Sequence, residues 1–402
     1  MTTATSTDGA GRSRASVVRL VVGASLISAG LGAYEISPAS VTPLIIDRLG
    51  VTEAAAGLIV SVMFGTAVVA SLPVGGVLDR TDSRRAIAVA VGGLLVAGVW
   101  GWVAGRDGDY LAVLASRVLG GITYVVVWNA GIDIVSEAVD PNQRATAVGS
   151  FTASGPVGFA LGQATGPVVA SRAGWSAVFL VYVVVVLAGF ALFWGPSRGL
   201  GGAGGAVPTL SEFGGVLRNR QVWLVGALGF LGYALYLFVN SWGPSYLTDE
   251  LGLSLGASGV VVAGFPAVGV LSRIGGGALS DRLFDGRRRP VVLGSFVAAA
   301  PLLAVIAQTE ALAVLVAALL LSGVAIQLTL GLSFAYVREL VDPRVAATAV
   351  AFQTSVGLGG AFVAPIVGGA LIEATSYRTA FLVAAALGAL GVLLAWYAPE
   401  PG

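Results

Sequence analysis

Apolar runs of about 20 or more residues recur along the whole 402-residue chain, each long enough at 1.5 Å per residue to cross a hydrocarbon core of about 30 Å. Segments of that length in lipid must satisfy their own backbone N–H and C=O groups, which points to an all-α integral membrane protein. Between polar breaks the runs fall near 17–46, 54–78, 86–105, 110–138, 145–170, 175–194, 221–247, 256–280, 290–308, 311–339, 345–372 and 378–397. Twelve transmembrane helices are therefore expected, and no stretch remains for a sizeable soluble domain. Only 11% of the residues are charged, against about 25% in an ordinary soluble domain. The opening residues are polar with Arg12 and Arg14, and the run from Val17 to Ile46 is too long for the core of a cleaved signal, so it reads as a retained first helix.

Residue types that are missing exclude whole classes of chemistry. Without Cys or His there are no zinc fingers, haem ligands, disulfides or Ser-His-Asp and Cys-His catalysis. All 22 basic residues are Arg, and a chain without Lys cannot supply the lysine of a G-x-x-x-x-G-K-[ST] loop, so ATP-driven pumping by this chain is excluded. The missing Lys and the 58 Gly read as the coding bias of a GC-rich prokaryote, and a net charge of +1 leaves no nucleic-acid footprint. No enzyme activity, catalytic residue, metal or cofactor is expected.

The long polar break at 195–220 holds Gly199, Gly201, Gly202, Gly204 and Gly205, a flexible linker, followed by Thr209 to Arg220, a candidate interfacial helix. It divides the chain into bundles 1–194 and 221–402. With the N-terminus inside, sixteen Arg fall on inner segments and four, Arg48, Arg106, Arg172 and Arg378, on outer loops, which puts both termini in the cytoplasm. The second half repeats the first at an offset of 202 positions: Asp79-Arg80 with Asp281-Arg282, Glu137 to Pro141 with Glu339 to Pro343, Asp47 to Gly50 with Asp249 to Gly252, Ala145 to Val148 with Ala347 to Val350, and Phe179 to Val181 with Phe381 to Val383. Six helices per repeat is an even number, so the repeats are parallel, and transporters built this way bind substrate between them near the midplane.

The loop after the second helix, Gly75-Gly-Val-Leu-Asp79-Arg80-Thr-Asp-Ser-Arg84-Arg85, resembles the G-x-x-x-D-R-x-G-x-R-R signature of the major facilitator superfamily, departing from it at Asp82, where the family usually has Gly. The second copy keeps Gly277, Asp281 and Arg282 and delays its Arg run to Arg287, Arg288 and Arg289. Gly75 would permit close helix approach, and Asp79 could face a helix N-terminus or an Arg. A conformational latch is expected in which Arg84 or Arg85 meets Glu137, mirrored by the Arg287 to Arg289 run and Glu339; the alternative is a purely topogenic signal. Three further stretches are similar to family elements: Arg117 to Gly121 in the fourth helix, Gly162 to Pro167 in the fifth, where tight packing is an equal reading, and Trp242 to Leu247 in the seventh, where Trp242 and Tyr246 could be interfacial anchors instead.

Four ionisable residues fall inside the membrane, Glu35, Arg117, Asp133 and Arg273, and a charge there costs roughly 2.5–3.5 kcal/mol on insertion scales. Glu35 is expected to couple protons with Arg117 as a switchable partner, a permanent structural pair being the alternative, and Arg273 to attract Asp133 when the cavity opens outward. The resemblance implies that helices one, four, seven and ten surround the cavity, which nominates Tyr34, Asn129, Tyr233, Tyr236, Asn240, Gln327 and Tyr336 as lining; Arg273, a cation in the apolar eighth helix, is added to them. The expected function is secondary active transport of a small solute by alternating access in the plasma membrane, coupled to protons or another ion. Arg273 and Arg117 lean it toward a small organic anion; the rival is proton-coupled efflux of lipophilic or cationic compounds, and a non-transporting sensor or scaffold is a third class. A monomer in the lipid bilayer is the favoured state.

Overall fold

The computed structural model describes residues 13–78, 80–202 and 210–400, and all regular structure among them is helical. The helices are α1 Arg14–Ile36, α2 Thr42–Leu49, α3 Glu53–Leu78, α4 Ser83–Asp107, α5 Tyr110–Glu137, α6 Arg144–Ala173, α7 Val178–Trp194, α8 Leu210–Arg218, α9 Arg220–Asp249, α10 Leu255–Leu283, α11 Arg289–Gln308, α12 Leu312–Glu339, α13 Ala346–Ala374 and α14 Tyr377–Trp396. Among the described residues eleven segments, with α1 and α2 counted as one, are long and apolar enough to cross a membrane. The twelfth crossing is α6, whose 30 residues suffice in length but are rich in Gly, Ser and Thr, with Gly158, Gly162 and Gly166 packed on the first crossing and Gln163 against α10.

The first crossing is not the continuous helix expected over 17–46. It breaks into a 3-10 stretch at Ser37–Val41, because Pro38 has no N–H to give the carbonyl of Tyr34. The N-cap side chains are those the sequence supplies: Asp82 on Arg85 N (2.8 Å), Asp109 on Ala112 N (3.0 Å), and Ser254 on Ala257 N (3.2 Å). Asp82 thus stands where the family signature has Gly because it caps α4.

The two six-helix repeats have matching internal packing, α1 on α6 and α7 answering α9 on α13 and α14, and α4 on α5 answering α11 on α12. Between the repeats, α3 packs on α13 and α6 on α10. These seams are tight on the face away from the α7–α9 connection. A Cβ on Gly57 would lie 2.3 Å from the Pro365 carbonyl oxygen, one on Gly369 2.5 Å from that of Glu53, and one on Gly259 2.4 Å from that of Gln163. Toward the connection, the linker face, the same helices diverge: Gly75, Gly76, Gly275 and Gly277 have nothing within 4 Å of a built Cβ. The far face is closed and the linker face open, so Gly75, read from sequence as a close-approach residue, makes no such approach in this state.

Within the first repeat α6 lies on α1 through glycines four apart. Cβ atoms on Gly158 and Gly162 would fall 2.1 and 2.8 Å from the carbonyl oxygens of Ala29 and Ala33. Backbone cannot yield there as a flexible side chain would. Gly158→Ala is expected to cost at least the 1–3 kcal/mol typical of overpacking, seen as a fall in melting temperature or loss of monodisperse protein in detergent. Gly75→Ala, in open space inside a helix, is expected to leave the melting temperature unchanged or raise it. Equal behaviour of the two variants would mean that the α1–α6 contact is not set by these glycines.

Candidate functional site

A cavity lies between the repeats, about 600 Å³ when the open space at its mouth is included. The first repeat contributes Ser28 and Glu35 from α1, Phe64 from α3, Tyr124 and Trp128 from α5, and Thr152 and Phe159 from α6; the second contributes Tyr233 and Tyr236 from α9 and Arg273 from α10. The broken first crossing matters here, since Glu35 sits one residue before the end of α1 and its carboxyl reaches the cavity while its carbonyl turns away from it. Glu35 is 3% exposed and its Oε1 has no hydrogen-bond partner among the described residues. Arg273 is held by one arm: Nε donates to Gln327 Oε1 at 3.0 Å, and the guanidinium carbon lies 5.4 Å from the centroid of the Tyr236 ring. Gln327 is fixed in turn by donating Nε2 to the carbonyls of Phe265 (3.2 Å) and Pro266 (3.3 Å). No hydrogen bond within the described residues uses the Arg273 Nη groups, which leaves a fork facing the cavity. The remaining wall is aromatic, with Tyr124 stacked on Trp128 at 6.1 Å and Phe159 on Tyr236 at 5.5 Å.

Of the residues nominated from sequence, Glu35, Tyr233, Tyr236 and Arg273 line this cavity. Tyr34, Asn240 and Gln327 are fully buried behind its wall. Asn129 is half-buried on α5 and outside the lining. Tyr336 belongs elsewhere: its hydroxyl donates to the carbonyl of Pro399, tying α12 to the C-terminal tail. The sequence reading missed Tyr124, Trp128, Phe159 and Phe64. Tyr124 and Trp128 are spaced i, i+4 on a helix already assigned to the cavity, a signal that could have found them.

Arg117 differs most from expectation. It is fully buried, and all three of its nitrogens donate to backbone carbonyls: Nε to Ile59 (3.0 Å), Nη1 to Tyr34 (2.9 Å) and Nη2 to Glu35 (2.6 Å). Its guanidinium carbon also lies 4.8 Å from the centroid of the Tyr34 ring. The expected pairing with the Glu35 carboxylate is replaced by contact with the Glu35 carbonyl, since no ion pair within 4.0 Å joins those side chains. The cause is Pro38: the last carbonyls of α1 lack helical donors, and a cation at a helix C-terminus satisfies both them and the dipole.

At the linker face the two copies of the signature differ. Asp79 lies outside the described residues. Arg84 donates Nε to Ser197 Oγ (3.1 Å) and Nη2 to the Trp194 carbonyl (3.0 Å), with its guanidinium 3.3 Å from the Trp194 ring centroid. Glu137 does not meet Arg84 or Arg85; its Oε2 accepts from the Gly201 N–H at 2.7 Å, and Ser83 N donates to the Gly201 carbonyl at 2.8 Å. The linker has taken the place reserved for the arginine. In the second repeat Arg288 does bridge Asp281 (2.7 Å) and Glu339 (2.9 Å), and the accepting Glu339 carboxylate raises its pKa above the ordinary guanidinium value. Arg80 and Arg282 are exposed, as is Asp133, and no ion pair within 4.0 Å joins Asp133 to Arg273 in this state.

Trp242 and Tyr246 are not interfacial anchors. Both are buried, Trp242 Nε1 donating to the Pro365 carbonyl and Tyr246 OH to that of Ile306, each at 2.9 Å, so the stretch fastens α9 to α13 and α11.

Comparison with known proteins agrees with this architecture. The chain is 25% identical over 361 residues to the cis,cis-muconate transport protein of Acinetobacter baylyi, covering 84% of this chain and 85% of that one. It is 23% identical to the probable L-galactonate transporter of Escherichia coli, covering 86% and 81%. A nitrite extrusion protein of Bacillus subtilis matches at 25% over about half of each chain, 53% and 52%. In structure it superposes on a bacterial homologue of the human lysosomal transporter Spinster, in an inward-facing and unoccupied conformation, with a TM-score of 0.82 over 96% of this chain and 98% of that one at 16% identity. The family model described as Major Facilitator Superfamily matches residues 22–364 and 285–402. With twelve crossings in two parallel repeats around a central cavity, and a family match along nearly its whole length, this chain belongs to the major facilitator superfamily of membrane transporters.

Proposed function

We propose that the protein moves a small organic anion together with a proton across the plasma membrane, by alternating access of bundles 1–194 and 221–402 joined by the linker 195–220. The observation that carries this reading is a cavity, shared by both bundles, with one acid and one base on opposite walls. With Glu35 ionised and Arg273 charged, the empty cavity is neutral. An anion on the Arg273 fork together with a proton on Glu35 leaves it neutral again. Either one alone leaves a net charge in a site of low dielectric, which costs several kcal/mol to close around. Closure is therefore favoured for the empty and the doubly loaded states, the condition for one-to-one symport. A cation beside Arg273 would leave the site positive, which argues against the cationic efflux reading. The muconate, galactonate and nitrite in the names of three relatives are anions, which supports the same choice. The arginine count supports a cytoplasmic linker face and cytoplasmic termini under this reading.

The test is uptake of labelled mono- and dicarboxylates, inorganic anions and lipophilic cations into proteoliposomes. At least one anion is expected to enter faster when the outside is acidified, and Arg273→Gln is expected to remove that uptake by tenfold or more while the melting temperature stays within a few degrees. Transport of lipophilic cations that survives Arg273→Gln would overturn the anion reading.

A further inference from the structure

One turn beyond the cavity, on the closed face, a hydrogen bond crosses between the repeats. Gln163 Nε2 of α6 donates to the carbonyl of Asn240 on α9 at 2.6 Å, and both residues are fully buried. That carbonyl is available for a local reason. In a helix it would accept from the residue four positions on, which is Pro244, and proline has no N–H. The side chain of Asn240 cannot substitute, since its Nδ2 donates back to the Tyr236 carbonyl at 2.8 Å. The donor therefore comes from the other repeat. Phe159 and Tyr236, one turn nearer the cavity on the same two helices, stack at 5.5 Å, so ring contact and hydrogen bond form two successive layers of one roof. The Gln163 backbone sits on the same seam, close against Gly259 of α10.

We infer that Gln163 is a positioning residue for transport: it holds the far face closed by lending the proline-orphaned carbonyl of Asn240 a donor that exists only while the repeats meet there. When the far face opens, α6 and α9 part, the bond breaks, and water entering from that side can satisfy the carbonyl. The closure is reversible by construction. Among the described residues Gln163 Oε1 and Asn240 Oδ1 are both buried without a partner, so the closed roof carries a standing cost that opening relieves. The inference rests on the alternating-access reading but not on which solute is carried.

Spin-label distances across the far face test it without any substrate. The chain has no native Cys, so labels attach only at Asp107→Cys, at the end of α4, and Glu310→Cys, between α11 and α12, two exposed positions on opposite repeats. Gln163→Leu, which keeps bulk and removes the donor, is expected to move the ratio of long to short distances roughly three- to tenfold toward the long, far-face-open population, the range set by one net hydrogen bond. Pro244→Ala restores an N–H that can satisfy the Asn240 carbonyl within α9, and is expected to shift the distances the same way with Gln163 intact. Combined, the two should shift the ratio no further than the larger single effect, because both remove one interaction. An unchanged distance distribution in Pro244→Ala, or additive shifts in the double variant, overturns the inference. So does a Gln163→Leu protein that melts lower without moving the distances, and Pro244→Ala carries the test alone if Gln163→Leu does not fold.

Discussion

Glu35→Gln is expected to abolish proton-driven accumulation while leaving substrate exchange intact. The variant fixes a neutral group on the first-repeat wall, so Arg273 alone makes the empty cavity positive and a bound anion makes it neutral. Loaded carriers then still cross, and counterflow of labelled against unlabelled anion proceeds. Empty carriers must return with an uncompensated buried charge, and that leg slows. For the wild type, a one-to-one symport of anion and proton is electroneutral; each pH unit supplies about 1.36 kcal/mol, or about tenfold accumulation, independent of membrane potential. For Glu35→Gln the accumulation ratio should stay near one at every imposed gradient. Measuring both rates in the same vesicles separates the outcomes. A variant that still concentrates its substrate tenfold per pH unit would remove Glu35 from the coupling, and a wild type that responds to membrane potential would overturn the charge-balance argument.

The limits of reading this molecule from sequence are themselves physical. Helix number, repeat and family were legible because hydrocarbon imposes a length and a polarity that no other context imitates, and the offset of 202 positions held through five blocks. The cavity was legible where chemistry is scarce: a lone Glu or Arg in an apolar run has few explanations, and Glu35 and Arg273 both face the space between the repeats. The partner of the second arginine run was legible, since Arg288 meets Glu339, but partners that are backbone groups were not, because composition does not display them. Arg117 went to three carbonyls and Glu137 to the N–H of Gly201. At the end of α1 the proline had released carbonyls for Arg117, and in the linker an N–H outside any helix was taken by Glu137, so a backbone group was bound instead of an opposite charge. Pro38, Pro244 and the glycine linker were visible in the sequence as breaks, but not as offers of hydrogen bonds. Part of the aromatic lining was missed for a different reason: a Phe is at home anywhere in a membrane-spanning run, so Phe64 and Phe159 carry no signal until the repeats are brought together.

That difference in partners makes Arg117 the site of the largest expected loss of stability. Removing the guanidinium, as in Arg117→Met, leaves the carbonyls of Tyr34 and Glu35 at the end of α1 without this donor in a wall that excludes water, and takes a second donor from Ile59, whose carbonyl lies inside α3. Each unsatisfied buried acceptor costs about 1–3 kcal/mol, so several kcal/mol are at stake, a large part of the margin of an ordinary fold. Arg117→Met is therefore expected to yield little folded protein. Arg117→Lys keeps the charge at the end of α1 but offers a compact ammonium in place of a planar fork, and it is expected to fold with a clearly lowered melting temperature. The informative measurement is what the surviving Arg117→Lys protein does. If Arg117 switches between Glu35 and the substrate, the lysine variant should show altered proton stoichiometry at whatever rate it transports. If Arg117 caps the broken helix, as its three carbonyl acceptors indicate, the stoichiometry should remain one proton per anion while stability alone falls. A second-site change supports the same distinction: Pro38→Ala restores an N–H to the Tyr34 carbonyl, and is expected to recover part of the stability lost in Arg117→Lys. A switching role predicts no such rescue, because the proline takes no part in moving the proton.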